Sequence, residues 1–139
     1  MPATITTTSL SDVISGRVIE PGDGDWDSAR QAFNPAVDQR PAAIAYPGDE
    51  RDVVAAVAYA RERGLRIAPQ TTAHNAGPLR PLQETILLNV RELDDVSIDP
   101  AGRRVRVGAG ATWQDVTPAL SVHELAALHG SSPGVGIAG

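Results

Sequence analysis

"PAAIAYPGDERDVVAAVAYARERGLRIA", residues 41–68, decides how this chain folds. The apolar run at 41–46 closes at Pro47 and Gly48, the punctuation that ends a buried strand. Asp49 then stands where a helix needs its N-cap, and Glu50 and Asp52 follow near the positive end of the helix dipole. Val53, Val54, Val57 and Ala60 recur at helical spacing, which predicts an apolar stripe facing the core. Arg61 and Arg63 fall in the last turn, and Gly64 supplies the left-handed residue that stops the helix. "LRIA", 65–68, resumes as a strand directly after that glycine, so the helix must pack back onto the sheet. Residues 41–68 therefore read as a β-α-β unit with parallel strands and a right-handed crossover.

Immediately beyond that unit lies "TTAHNAGPL", 71–79, a polar loop centred on His74. Ligands of parallel sheets gather beyond the carboxyl ends of the strands, where this loop sits. Threonine hydroxyls, small side chains and free backbone N–H groups suit a pyrophosphate, which needs close donors. Taken alone, a polar loop with Gly77 and Pro78 is more often a plain connection than a ligand site.

Outward from this centre the pattern stays mixed. "GRVIE", 16–20, predicts a short strand, "EPGDGD", 20–25, a loop, and "DWDSARQAF", 25–33, a helix capped by Asp25 with Trp26, Ala29 and Phe33 on one face. Downstream, "TILLNV" (85–90), "DVSIDP" (95–100) and "RRVRVGAG" (103–110) predict mainly antiparallel strands in a second layer, the last two joined by a tight turn. Val105 and Val107 alternate with Arg104 and Arg106, one buried face and one wet. "TWQDVTPAL", 112–120, predicts a helix capped by Thr112, which Pro118 should shorten or kink.

Composition excludes several function classes. The chain has 139 residues, 42% hydrophobic and 21% charged, enough for one domain with a real core. It has no cysteine, hence no disulfide, thiolate metal site or thiol nucleophile. A net charge of −5 argues against a nucleic-acid partner. Residues 1–10 lack the cationic start and apolar core of a secretory signal, and no apolar run approaches the ~18 residues of a membrane span. These features read as a cytoplasmic protein with no membrane partner and a flexible N-terminal tail over 1–10. His123 and His129, six residues apart, do not form a metal set with His74, since no carboxylate falls at ligand-like spacing; no metal is expected and both read as partly exposed residues at a helix end. Trp26 and Trp113 read as packing residues.

The order of these segments, "RPAAIAYPGDERDVVAAVAYARERGLRIAPQ", the His74 loop, "LLNVRELDDVSIDPAGRRVRVGAGATWQDV" and "HGSSPGVGIAG", resembles the FAD-binding domain of the vanillyl-alcohol oxidase and para-cresol methylhydroxylase (PCMH) superfamily. Within it the likeness is greatest to berberine-bridge-enzyme-like oxidases. The resemblance implies an α+β fold of the PCMH type: a small parallel β-α-β subdomain followed by a mainly antiparallel sheet with helices. Residues 11–139 would be the N-terminal part of such a domain, with 81–139 an incomplete second subdomain truncated at the C-terminus.

In that family the loop wraps the FAD pyrophosphate, and its histidine commonly bonds to the flavin 8α-methyl carbon. The resemblance thus implies FAD contacts at Gln70, Thr71, Thr72, Ala73, His74, Asn75 and Gly77, with His74 as either a tether or a noncovalent neighbour. "GSSPGVGIAG", 130–139, resembles the second flavin-facing segment and adds Ser131, Ser132, Val135, Gly136 and Gly139; without the resemblance it would be a flexible tail. Four positions depart from the pattern. Thr72 and Ala73 stand where glycines are frequent, Gln70 where an arginine is usual, and Glu124 where glycine is frequent. Ser132 replaces the cysteine of bicovalent relatives, and a hydroxyl without an activating base is a poor substitute for a thiolate.

The implied function is oxidation of an alcohol, amine or sugar carbon in a small-molecule substrate by hydride transfer to flavin, with oxygen as acceptor. The protein orients the cofactor, and the redox chemistry is the flavin's own. No acid or base for substrate chemistry is identifiable, so the chain alone is expected to be inactive. The rival reading is a noncatalytic nucleotide- or effector-binding α/β module that has lost flavin chemistry, supported by Thr72, Ala73 and the ending at Gly139.

Overall fold

The computed structural model describes residues 8–79 and 81–138. In chain order, a 3-10 turn at Leu10–Asp12 leads into β1 (Arg17–Ile19), α1 (Trp26–Ala29), β2 (Ala43–Tyr46), α2 (Glu50–Glu62), β3 (Arg66–Gln70), β4 (Thr85–Asn89), β5 (Val96–Asp99), β6 (Arg104–Val107) and α3 (Trp113–Ser121). The fold is α+β, with a four-stranded sheet in the order β1-β2-β4-β3 and a separate β5-β6 hairpin.

The β-α-β unit forms, with one difference from expectation. β2 and β3 are each parallel to β4, which lies between them, and the register sets Ile44 opposite Leu87 and Gln70 opposite Asn89. The expectation that residues 85–90 join an antiparallel second layer is thereby corrected, and the layer boundary falls after Asn89 rather than at residue 81. Burial explains the placement. All five residues of β4 are buried, as a central parallel strand covered on both faces must be. β3 carries Pro69, which lacks a ladder donor, and takes the edge. Only β1 runs antiparallel in this sheet, against β2.

Side chains of the sheet feed two cores. Ala43, Ala45, Ile86 and Leu88 pack with Leu10, Ile14, Ala56 and Ala60 on the α2 side. Ile44, Tyr46, Ala68 and Leu87 pack with Ile19 and Leu82 on the other. Leu10 is buried, and Arg63 Nη2 donates to the Thr8 carbonyl at 2.7 Å. The expected tail therefore does not reach residue 10; residues 1–7 lie outside the described residues.

α2 begins and ends where expected. The Asp49 carboxylate accepts from the N–H groups of Arg51 and Asp52, and Gly64 follows the helix at a φ of +67°. The buried face, however, is only half of the expected stripe: Ala60 is buried and Val53 packs against the core. Val54 and Val57 are 70% and 47% exposed, whereas Asp52, Ala56 and Ala60 are buried. The cause is the Asp52 carboxylate, which accepts the N–H groups of Ser15, Gly16 and Gly48 and is drawn inward. Residues 56 and 60, one and two turns on, are alanines that let the helix approach the sheet.

α1 is only one turn long, and Asp25 makes no side-chain cap. The chain leaves the helix at Arg30, whose guanidinium binds Asp27, Asp38 and the Gln39 carbonyl. Phe33 is consequently carried outward, 67% exposed, rather than packed beside Trp26.

The β5-β6 hairpin turns over Pro100–Arg103, with Gly102 N–H donating to Asp99. Val96, Ile98, Val105 and Val107 meet Val116 and Leu120 of α3 in a third cluster. α3 continues three residues beyond Pro118, so the proline does not stop it. At its start the N–H and hydroxyl of Thr112 both donate to Asp115.

Candidate cofactor site

The ends of β3 and β4 leave a cleft of about 380 Å³. Gln70, Thr71, Thr72, Ala73, His74 and Asn75 form one wall, Val90 and Ala109 the base, and Val135 and Gly136 the facing wall. Eight of the sequence-predicted residues are thus brought together from two segments more than fifty residues apart. Backbone pairing achieves this: Ile137 N–H donates to Ala111, Trp113 N–H to Val135 and Gln114 N–H to Pro133.

The remaining predicted residues fall elsewhere. Gly77 lies in the loop but not on the cleft wall, and Ser131 and Ser132 are exposed away from it. The physical reason is that the chain joins the start of α3 only from Pro133 onward. Gly139 lies outside the described residues. Pro69, Ala76, Leu79, Val90, Ala109 and Ala138 also line the cleft and were not singled out from sequence. A signal existed for Ala109, which sits in the small-residue run "GAGA" at 108–111. A Cβ on Gly110 would lie 2.2 Å from the Val90 carbonyl oxygen; only a glycine lets these two strand ends meet at the base.

Loop geometry fits an anionic ligand. The Thr71 hydroxyl donates to the Ala109 carbonyl at 2.9 Å, fastening the loop to the far side of the base. Ala73 takes a φ of 59°, the left-handed conformation that glycines at this position would supply without a Cβ. Among the described residues, no hydrogen bond uses the backbone N–H groups of residues 72–75. A run of free N–H groups on a left-handed turn is a nest for an anion. The other walls are mostly apolar, and among the described residues lining the cleft His74 is the sole titratable one.

At Gln70 the structure replaces the arginine of the family pattern with a neutral pair. Gln39 Nε2 donates to Gln70 Oε1 at 2.9 Å, and both side chains are buried. Gln39 carried no sequence signal, being a lone glutamine between charged residues.

A second, larger cleft of about 600 Å³ lies between Gly48–Arg51 and the 92–109 stretch. Asp49, Glu50, Glu92 and Asp95 line it, and Glu50 is engaged by Arg106 at 2.8 Å. Arg51 and Arg106 offset only part of this charge, and the net excess of carboxylates repels a diphosphate, so the first cleft is the better cofactor site.

Among the described residues no group of three metal-ligating side chains comes together, and no helix is long and apolar enough to cross a membrane. Trp26 and Trp113 pack against the second and third cores, as expected.

These features define a flavin-binding domain of the PCMH type. The chain belongs to the family described as FAD binding domain, whose match covers residues 41–139, and FAD is its cofactor. It is 33% identical over 126 residues to (R)-6-hydroxynicotine oxidase of Paenarthrobacter nicotinovorans, a match covering 91% of this chain and 28% of that protein. With glucooligosaccharide oxidase of Sarocladium strictum it shares 30% identity, over 82% of this chain and 23% of that protein. The crystal structure of 6-hydroxy-D-nicotine oxidase from Arthrobacter nicotinovorans superposes with a TM-score of 0.83 at 34% identity, covering 94% of this chain and 28% of that one. A variant of Physcomitrella patens BBE-like 1 gives a TM-score of 0.83 at 26% identity, over 94% of this chain and 30% of that one. The chain thus spans less than a third of the length of these relatives.

Proposed function

We propose that this chain is the cofactor-binding portion of a longer FAD-dependent oxidoreductase that oxidises an alcohol, amine or sugar carbon, with oxygen as electron acceptor. The observation that carries the reading is the run of unused N–H groups at 72–75 on the left-handed turn at Ala73, set against an apolar cleft at the strand ends. Those N–H groups would hold the diphosphate. Val90, Leu79 and Val135 would exclude water from the ring system, and His74 would meet the dimethylbenzene edge. A bound flavin supplies hydride acceptance; the chain's residues bind and orient it.

The oxidases among the relatives support the reaction class, and the names of two of them, a nicotine and an oligosaccharide oxidase, support an amine or sugar carbon as substrate. The His74 tether is part of the proposal. The expected result, in a polypeptide of the relatives' full length, is a yellow protein absorbing near ~450 nm whose colour stays with the protein on acid precipitation. Colour that leaves with the supernatant removes the tether and keeps the cofactor. A colourless protein that does not take up added FAD overturns the whole reading in favour of a noncatalytic nucleotide-binding module.

The 139-residue chain alone offers only some of the contacts that offset the entropy of ordering the ligand. FAD affinity weaker than about micromolar is expected for it by calorimetry.

A further inference from the structure

The imidazole of His74 is held on two sides. Its Nδ1 lies 2.8 Å from Thr72 Oγ1. The ring of Phe33 stacks on it with centroids 3.9 Å apart and planes inclined by 25°. The two residues arrive from separate segments. Thr72 reaches His74 because the residue between them, Ala73, turns left-handed. Phe33 stands on the loop closed by the Gln31–Asp38 bridge, which Arg30 fastens at both ends through Asp27, Asp38 and the Gln39 carbonyl.

Exposure argues that this stack is not core packing. Phe33 is 67% exposed and His74 is exposed as well. A phenyl ring kept in water by a clamped loop gains little from burial, so its defined contact is with the imidazole. The loop under His74 is fastened independently by Thr71 to Ala109 at 2.9 Å. Both ends of the stack are thus anchored by hydrogen bonds that do not involve the rings.

We infer that Thr72 and Phe33 are positioning residues for His74: they fix the imidazole through Nδ1 and through one ring face, and leave Nε2 as the ring nitrogen offered to a ligand in the cleft. A hydroxyl both donates and accepts, so the contact with Thr72 survives in either neutral tautomer. Among the described residues Nε2 has no hydrogen-bond partner. That the ligand meeting Nε2 is a flavin rests on the function proposed above; the way the imidazole is held does not.

Two measurements on the 139-residue chain test the inference, and neither needs a flavin. Bromoacetate alkylates a free imidazole nitrogen with loss of bromide, and exposed His123 in the same chain serves as the reference. His74 should give the Nε2 product with a preference over Nδ1 about tenfold greater than at His123, the factor expected from one hydrogen bond on Nδ1. Thr72→Val should bring the ratio to that of His123, and Thr72→Ser should keep it. In proton NMR the His74 ring signals should be shifted upfield by the stacked phenyl ring. They should move downfield in Phe33→Leu and return in Phe33→Tyr. A product ratio at His74 equal to that at His123, no alkylation of His74 while His123 reacts, or His74 signals unmoved in Phe33→Leu would each overturn the inference. Absence of FAD binding would leave these readouts unchanged and would count against the cofactor reading alone.

Discussion

Asp52 and Ser15 are joined across thirty-seven positions of sequence: the carboxylate accepts the Ser15 N–H at 2.8 Å and its hydroxyl at 3.0 Å. Gly16 and Gly48 add N–H bonds of 2.8 Å each. Burial, the largest single influence on this carboxyl, pushes its pKa up, but the bonds from Ser15, Gly48 and Gly16 outweigh it and hold the group below its ordinary value. A depressed carboxyl stabilises the fold at pH above its unfolded value near ~3.9, and that contribution is lost as pH falls through the lower folded value. Asp52→Asn should cost about 1–3 kcal/mol at pH 7, because the amide keeps the size and loses the charge-assisted bonds. In urea unfolding the gap between wild type and variant should narrow at low pH; an equal gap at pH 7 and in acid would rule out the charge as its cause.

Ala73 tests the left-handed turn. Ala73→Gly should stabilise the chain by about 0.5–1 kcal/mol despite the added backbone freedom of the unfolded state, because the Cβ penalty at positive φ is removed. Ala73→Val should destabilise by about 1–2 kcal/mol, since a β-branched side chain tolerates that region least. Thermal melts of the three proteins would rank Gly above Ala above Val, and any other order would contradict the backbone geometry.

Thr71 tests the fastening of the loop. Thr71→Val removes the donor to the Ala109 carbonyl at nearly constant volume, and a loss of about 1 kcal/mol is expected. Thr71→Ser should retain most of the stability. Hydrogen exchange of the Val90 amide, which donates to the Gln70 carbonyl at the root of the loop, should quicken in the valine variant and stay unchanged in the serine variant.

The strand sequences and the caps of α2 were legible because strand alternation, Asp49 and Gly64 act locally. The place of β4 was not. A run such as "TILLN" reports that it is buried, but its neighbours are chosen by the other strands, among them β3, which Pro69 sends to the edge. The inner face of α2 misled for a related reason. Spacing correctly put Val53 and Ala60 on the core side, but a buried carboxylate with distant N–H partners turned the helix so that Asp52 and Ala56 face the sheet in place of Val54 and Val57. In the cleft, the His74 loop stood out by residue type, whereas Val135 and Gly136 came only from the family resemblance of 130–139. Gln39 and Phe33 act through contacts to residues 70 and 74 that no local pattern announces.

Gly110 tests the base of the cleft. A methyl group there would meet the Val90 carbonyl oxygen at 2.2 Å and Arg91 backbone atoms at 2.7 Å, which no side-chain rotation can relieve. Gly110→Ala should destabilise by about 2–4 kcal/mol, comparable to other severe core overpacking. It should also separate the two strand ends, so that hydrogen exchange rises together at Val90 and Ala111, whose amides donate to the Gln70 and Gly108 carbonyls. A variant as stable as wild type would show that the strand ends need not approach.

β3 and β4 are adjacent and parallel, and among the described residues of 71–84, which join them, there is no helix. A parallel pair cannot be joined by a tight hairpin; the chain must travel back the length of the strand, which takes a dozen or so residues. The segment around His74 is therefore also the return path that makes the central pairing of the sheet possible. A deletion between residues 71 and 84 would therefore strain the pairing of β3 with β4 as well as reshape the cleft.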